Sequence, residues 1–216
     1  MGDGDRRASI ESVISTAIQT QLKDVHTMLP GQIISFDPAT QLADIQPLLK
    51  RKVGDQLINL PVLVQVPVRF LKSKAFTITF PLVAGDEVSL HFIERSIDNW
   101  LVQGGIQSPN DTRKFDLSDA YAVPVLYSQQ EVLADFDPAN MEIRNTANDT
   151  KITIKPSGEV IITATKTTVT GNLDVLGTIT APTIQAASSL TISGAEVKDH
   201  VHGGVTSGAS NTAPLS

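Results

Sequence analysis

The sequence contains no cysteine, which removes disulfide frameworks, thiolate metal sites and cysteine nucleophiles from consideration. It also lacks an excess of positive charge: 17 Lys and Arg stand against 23 Asp and Glu, a net charge of −6. A nucleic-acid binder ordinarily carries a basic surface that neutralises phosphates, so no nucleic-acid partner is expected. No apolar run approaches the roughly 18 residues that span a bilayer, and no N-terminal hydrophobic segment reads as a signal peptide. The expectation is a soluble chain made without secretory processing. Aromatic residues are scarce, 5% of the total, and the last is Phe136. The 80 residues that follow it hold no Phe, Tyr or Trp, so an ordinary globular core is hard to build from them.

Enzyme signatures are missing as well. There is no Gly-x-Ser-x-Gly elbow, no His-Glu-x-x-His, no phosphate-cradling glycine loop and no dinucleotide fingerprint. Glu94 and Asp98 could pair as the two carboxylates of a glycoside hydrolase, but their flanks, from Ile93 to Trp100, read as a hairpin turn with surface charge. Trp100 reads as a core or edge residue before it reads as a sugar platform. Neither catalysis nor a small-molecule substrate is expected.

What is present falls into zones. From Ala8 to about Thr27, Ile10, Val13, Ile14, Ala17, Ile18, Leu22 and Val25 recur at spacings of three and four, a helical stripe. Ser9 is its expected N-cap, and Pro30-Gly31 is a stop signal beyond its end. The stripe either packs on the chain's own domain or joins subunits. From Leu29 to Gly105 the pattern becomes β: Gln32–Phe36, Leu42–Leu49, Leu57–Phe70, Phe76–Phe80, Glu87–Ile93 and Trp100–Gln103, separated by turn residues. Five or six short strands in this length predict a small closed barrel of OB size. Pro47, Pro61 and Pro67 are then confined to strand starts, edges or bulges, because proline cannot donate to the ladder. Residues 106–140 carry Pro109, Pro124 and Pro138 and read as a connector. Phe36-Asp37-Pro38-Ala39 recurs as Phe136-Asp137-Pro138-Ala139, a reused turn with unmatched flanks.

From Met141 onward very short strands are predicted, among them Lys151–Ile154, Glu159–Thr163, Thr167–Thr170, Leu173–Leu176, Thr178–Thr180, Thr183–Ile184 and Leu190–Ile192. Turns at Pro156-Ser157-Gly158, Gly171-Asn172, Gly177 and Gly194 separate them. Residues 150–216 contain 13 Thr, and each strand offers one or two aliphatic side chains. Alone, such a segment cannot bury enough surface to offset its ordering entropy. It is disordered, or other chains complete it, and the regular turns with high β-propensity favour completion. An intertwined β-helix is preferred to a single-chain solenoid.

His200 and His202 flank Val201 in Asp199-His200-Val201-His202-Gly203-Gly204. In extended chain, residues i and i+2 share a face, so the two imidazoles project side by side. By spacing alone they are two solvated histidines or an incomplete metal site. If three copies meet at an axis, six nitrogens surround one point, a donor set suited to an octahedral first-row ion such as iron or nickel rather than tetrahedral zinc. His26, near the helix end, and His91, in a strand, have no partners at such spacing and read as structural.

The order of these features resembles the central spike proteins of contractile-tailed bacteriophages. Leu29–Asp37 looks like the opening strand of that family's N-terminal OB domain. Gly85–Arg95 with Asn99-Trp100-Leu101 looks like its later strands, and Arg113–Pro124 like the segment leaving it. His200–Gly208 with Asn211–Pro214 looks like the tip. The resemblance implies an all-β fold, an OB-fold barrel (with a short N-terminal helix) followed by an intertwined trimeric β-helix with a conical tip. The corresponding division is 1–28 helix, 29–105 OB domain, 106–140 connector, 141–198 β-helix and 199–216 tip. It also implies a homotrimer holding one iron ion through His200 and His202 of each chain, seated on a baseplate hub or tail-tube end in the virion. Its work would be mechanical, piercing the host outer membrane as the sheath contracts. Seven or so strand layers at about 4.8 Å give a needle of roughly 35 Å, comparable with the ~30 Å hydrocarbon core of a bilayer. A receptor- or glycan-binding trimeric tail module, or the equivalent spike of a tailocin or secretion apparatus, is the alternative.

Overall fold

The computed structural model describes residues 10–192 and 195–197. The chain divides into two units, Met1–Phe136 and Asp137–Ser216.

In the first unit a helix, α1, spans Ile10–Leu22, inside the predicted stripe; its expected N-cap, Ser9, lies outside the described residues. The strands β1 (Met28–Asp37), β2 (Leu42–Pro47), β3 (Arg51–Val53), β4 (Gln56–Ile58), β5 (Leu63–Pro67), β6 (Leu71–Lys72), β7 (Thr77–Ile78) and β8 (Glu87–Phe92) follow. A short helix α2 (Asp98–Gln103), a 3-10 turn (Leu117–Asp119) and β9 (Ala120–Val123) complete the unit.

The main sheet has the order β5-β2-β1-β8-β9, with every pairing antiparallel. Its two ends meet. Just past β5, Val68 forms a parallel bridge to Ala122 of β9, and the Arg69 N–H donates to the Ala122 carbonyl at 2.8 Å. An antiparallel meander whose third strand runs parallel to the fifth is the connectivity of an OB-like barrel. The ten-residue β1 makes this possible by serving two neighbours. Met28–Gln32 pairs with β8 and Gly31–Asp37 with β2, with a register shift between Ile33 and Ser35.

Period-two alternation builds the core. Ala43 and Ile45 of β2, Val88, Leu90 and Phe92 of β8, and Ala120 and Ala122 of β9 point inward with Ile33, Leu63, Val66 and Val68. Gly31 is required by space. A Cβ there would lie 2.7 Å from Ile45 Cγ2 and 2.8 Å from Leu90 Cδ1. The pair expected to stop the helix thus sits inside β1, where glycine lets two core side chains meet over the backbone. Pro47 and Pro67 end their strands, as their missing N–H demands.

Two sequence expectations are corrected. Trp100–Gln103 is helical, not extended: Leu101 N–H donates to Ile97 O and Gly104 N–H to Trp100 O, both at 2.8 Å, before Gly104 and Gly105 leave the helix at φ 66°. The barrel also does not stop at Gly105. Its fifth strand is Ala120–Val123, from the stretch read as connector. Its small Ala120 and Ala122 fit beside Leu90 and Phe92, to which β9 is paired by Leu90↔Ala122 and Phe92↔Ala120.

In the second unit, β10 (Met141–Arg144), β11 (Lys151–Ile154) and β12 (Val160–Thr163) form an antiparallel meander within one chain. Gly158, at φ 87°, makes the predicted Pro156-Ser157-Gly158 turn. The expected strands at 167–170, 173–176, 178–180 and 183–184 are not formed in the single chain; β13 (Thr191–Ile192) and β14 (Ala195–Glu196) form a two-stranded hairpin. Residues 164–189 form no strand, and β10 and β12 are left as the two edges of their sheet. The repeated Phe-Asp-Pro-Ala is one turn used twice. Asp37 Oδ1 accepts from Ala39 N–H and Asp137 Oδ1 from Ala139 N–H, each at 2.9 Å.

Candidate functional site

The residues singled out for chemistry part company in the structure. Glu94 is exposed and pairs with its neighbour Arg95 at 3.3 Å. Asp98, in the first turn of α2, instead faces Arg113: Nη2 donates to Asp98 Oδ2 at 2.8 Å, and Asn110 Nδ2 donates to the same oxygen at 3.1 Å. Those bonds, Arg113 first, hold the Asp98 carboxyl below the usual carboxylate range. It is an ionised structural anion, without the raised pKa that a general acid needs. Arg113 also donates from Nε to Asp119 Oδ2 at 2.6 Å and from Nη2 to Asp119 Oδ1 at 2.9 Å. Asp119 is fully buried and accepts the Ile97 N–H through Oδ1 at 3.0 Å. One guanidinium therefore ties the start of α2 to the residue just before β9. Nothing in the local sequence pattern singles out this pair; its one signal is an aspartate directly before an apolar strand, six residues after an arginine.

His91 Nε2 lies 2.9 Å from Ser89 Oγ, and its ring stacks on Tyr121 at 5.0 Å between centroids. His26 packs against Phe92 at 5.6 Å. Burial, and then the nearby Arg51 charge, push its imidazole below the ordinary value, with Asp116 and Asp24 opposing. Both histidines serve packing. Among the described residues no group of three His, Asp or Glu side chains is placed to hold a metal. His200 and His202, the predicted ligands, lie outside the described residues.

The prominent features are surfaces. In the second unit the two faces of the β10–β12 sheet are inverted relative to a self-sufficient domain. Met141, Ile143, Ile152, Ile154, Val160 and Ile162 share one face, by the registers Met141↔Ile154↔Val160 and Ile143↔Ile152↔Ile162, and every one of them is exposed. The opposite face carries a polar cluster. Glu142 accepts from Lys151 Nζ at 2.8 Å and lies 3.5 Å from Arg144, with Thr153 buried beside it. Farther along, Val169, Leu173, Leu176, Ile179 and Ile184 are exposed too. An apolar face of this extent normally marks an interaction site.

The helix α1 shows the same property. None of its residues is buried, and Ile10, Val13, Ile14, Ile18 and Leu22 are all more than half exposed. Packing on the chain's own domain is therefore not its role in the single chain, where the barrel core is already filled by strands.

Residues 29–125 match the family model described as the phage protein Gp138 N-terminal domain. The match indicates a phage protein. It covers somewhat under half of the chain and runs from β1 to just past β9, so the Gp138 N-terminal domain model and the OB-like barrel are the same stretch, including the Arg113–Asp119 pair and α2. No curated protein matches the chain. A phage domain on a mostly β chain fits a structural virion component.

Proposed function

We propose that the chain is the central spike at the tip of a contractile tail baseplate, a homotrimer that pierces the host outer membrane when the sheath contracts. The observation that carries this reading is the outward apolar face of β10–β12. A sheet that presents three rows of aliphatic side chains to water has no reason to persist alone. Two further copies wrapped about a common axis would cover it, each half-exposed side chain contributing on the order of 1 kcal/mol on burial.

The mechanism is mechanical. Strand edges left open by the β10–β12 meander, once paired with neighbouring copies, are no longer free to fray under load, and the aromatic-free, Thr-rich composition allows three chains to approach one axis closely. The OB-like barrels form the collar that seats on a baseplate hub or tail-tube end. His200 and His202 of each copy would supply six imidazole nitrogens, a donor set matching one octahedral iron ion. When bound, such an ion cross-links three chain ends at the apex, and binding to the folded trimer alone adds to its stability. No catalysis is involved.

The test is the solution mass of a chain carrying Ile152→Asp with Ile162→Asp. Burying six such carboxylates per trimer is prohibitive, so the variant is expected to run at one chain mass while its barrel keeps a native circular dichroism spectrum. An unchanged assembly would contradict the reading.

A further inference from the structure

A groove of about 670 Å³ opens at one end of the barrel, between the turn after β1, the β6–β7 hairpin and α2. Its floor is fixed by barrel closure: Val68 N–H donates to Gln41 O at 2.9 Å and Arg69 N–H to Ala122 O at 2.8 Å. Its far wall is Trp100, on the helix that Arg113 anchors, a residue 47% exposed. The hairpin, paired by Leu71↔Ile78 and Lys72↔Thr77, contributes Lys72 and the hydroxyls of Ser73, Thr77 and Thr79.

The charge of this lining is opposite to that of the chain. Arg69 and Lys72 face the groove, no carboxylate lines it, and neither cation has an ion-pair partner among the described residues; the Arg69 guanidinium makes one long bond, 3.4 Å, to the neighbouring Val68 carbonyl. Two uncommitted cations, a flat indole and several hydroxyls are the complement of an acidic sugar: cations for the acid group, the ring face for the C–H face of the sugar, hydroxyls for its hydroxyls. A nucleic acid fits less well, since two cations in a chain of net charge −6 offer no track along a phosphate backbone.

We propose that this groove binds an acidic saccharide, with Arg69 and Lys72 on its acid group and Trp100 against its ring. This does not depend on the trimeric needle and gives the barrel a contact with cell-surface glycan.

Trp100 is the single tryptophan of the chain, so intrinsic fluorescence of the full-length protein reads the groove directly. Titration with tetragalacturonate and with glucose 6-phosphate, a carboxylate and a phosphate source of the same chemistry, is expected to give a saturable change with at least one. Maltotetraose, neutral, should give none. The Arg69→Ala, Lys72→Ala protein, and Lys72→Ala alone should the pair fold poorly, should bind at least about tenfold more weakly, the loss of one charge-assisted contact. Calorimetry on the same samples confirms the affinities. No saturable response to either acidic probe, equal affinity in a folded variant, or tighter binding of an oligothymidylate would overturn the proposal.

Discussion

The Arg113 guanidinium grips the fully buried Asp119 carboxylate at both oxygens, 2.6 Å from Nε and 2.9 Å from Nη2, and reaches Asp98 at 2.8 Å with the same Nη2. Removing one partner of such a pair leaves a buried charge uncompensated, which costs about 3–5 kcal/mol. Arg113→Ala is therefore expected to lower the denaturation midpoint of the barrel by that order, and Arg113→Lys to recover only part, because an ammonium cannot make the forked contact. Chemical denaturation of each protein checks this. A loss below about 1 kcal/mol in Arg113→Ala would show that the pair does not hold the barrel.

Two separate acid transitions are expected. His26 is held below its ordinary 6.5 in the folded state, so the unfolded chain binds the extra proton more readily. The stability is complete above that value and declines as pH falls through the folded pKa. Asp37, Asp98, Asp116 and Asp137 are held below 3.8 by hydrogen bonds to the ionised carboxylate. Their contribution is present above 3.8 and is lost as pH falls below it. Melting temperature followed from pH 8 to pH 3 should show both declines, and His26→Gln should flatten the first and leave the second.

Metal content tests the apex independently. Elemental analysis of protein purified without chelator is expected to give one iron per three chains, and none after His200→Ala with His202→Ala. That variant should melt lower than the parent. Equal melting and no metal in the parent would remove the ion from the account.

How much of this was legible in the sequence depends on where each interaction partner lies. Strands β2 and β8 announce themselves because Ala43 and Ile45, and Val88, Leu90 and Phe92, recur at every second position of their own segments. Strand β9 does not, since its small Ala120 and Ala122 earn their burial only opposite Phe92 and Leu90. Trp100–Gln103 misleads because Trp and Val favour strands locally, while the helix is decided by Ile97 packing inward and Arg113 arriving from fifteen residues away. The Arg113–Asp119 pair is invisible without the loop that brings the two together, and Arg69 with Trp100 shares a groove across 31 positions. In the second unit the alternation of Ile143, Ile152 and Ile162 was readable, but the face they form has no cover within the chain, so composition alone pointed to other copies.

The central claim is that identical copies cover the aliphatic face of the C-terminal unit. Light scattering coupled to size exclusion, run on the full-length protein at micromolar concentration, tests it most directly. The account predicts a single species of three times the chain mass of 23.1 kDa. A folded species at one chain mass would contradict it.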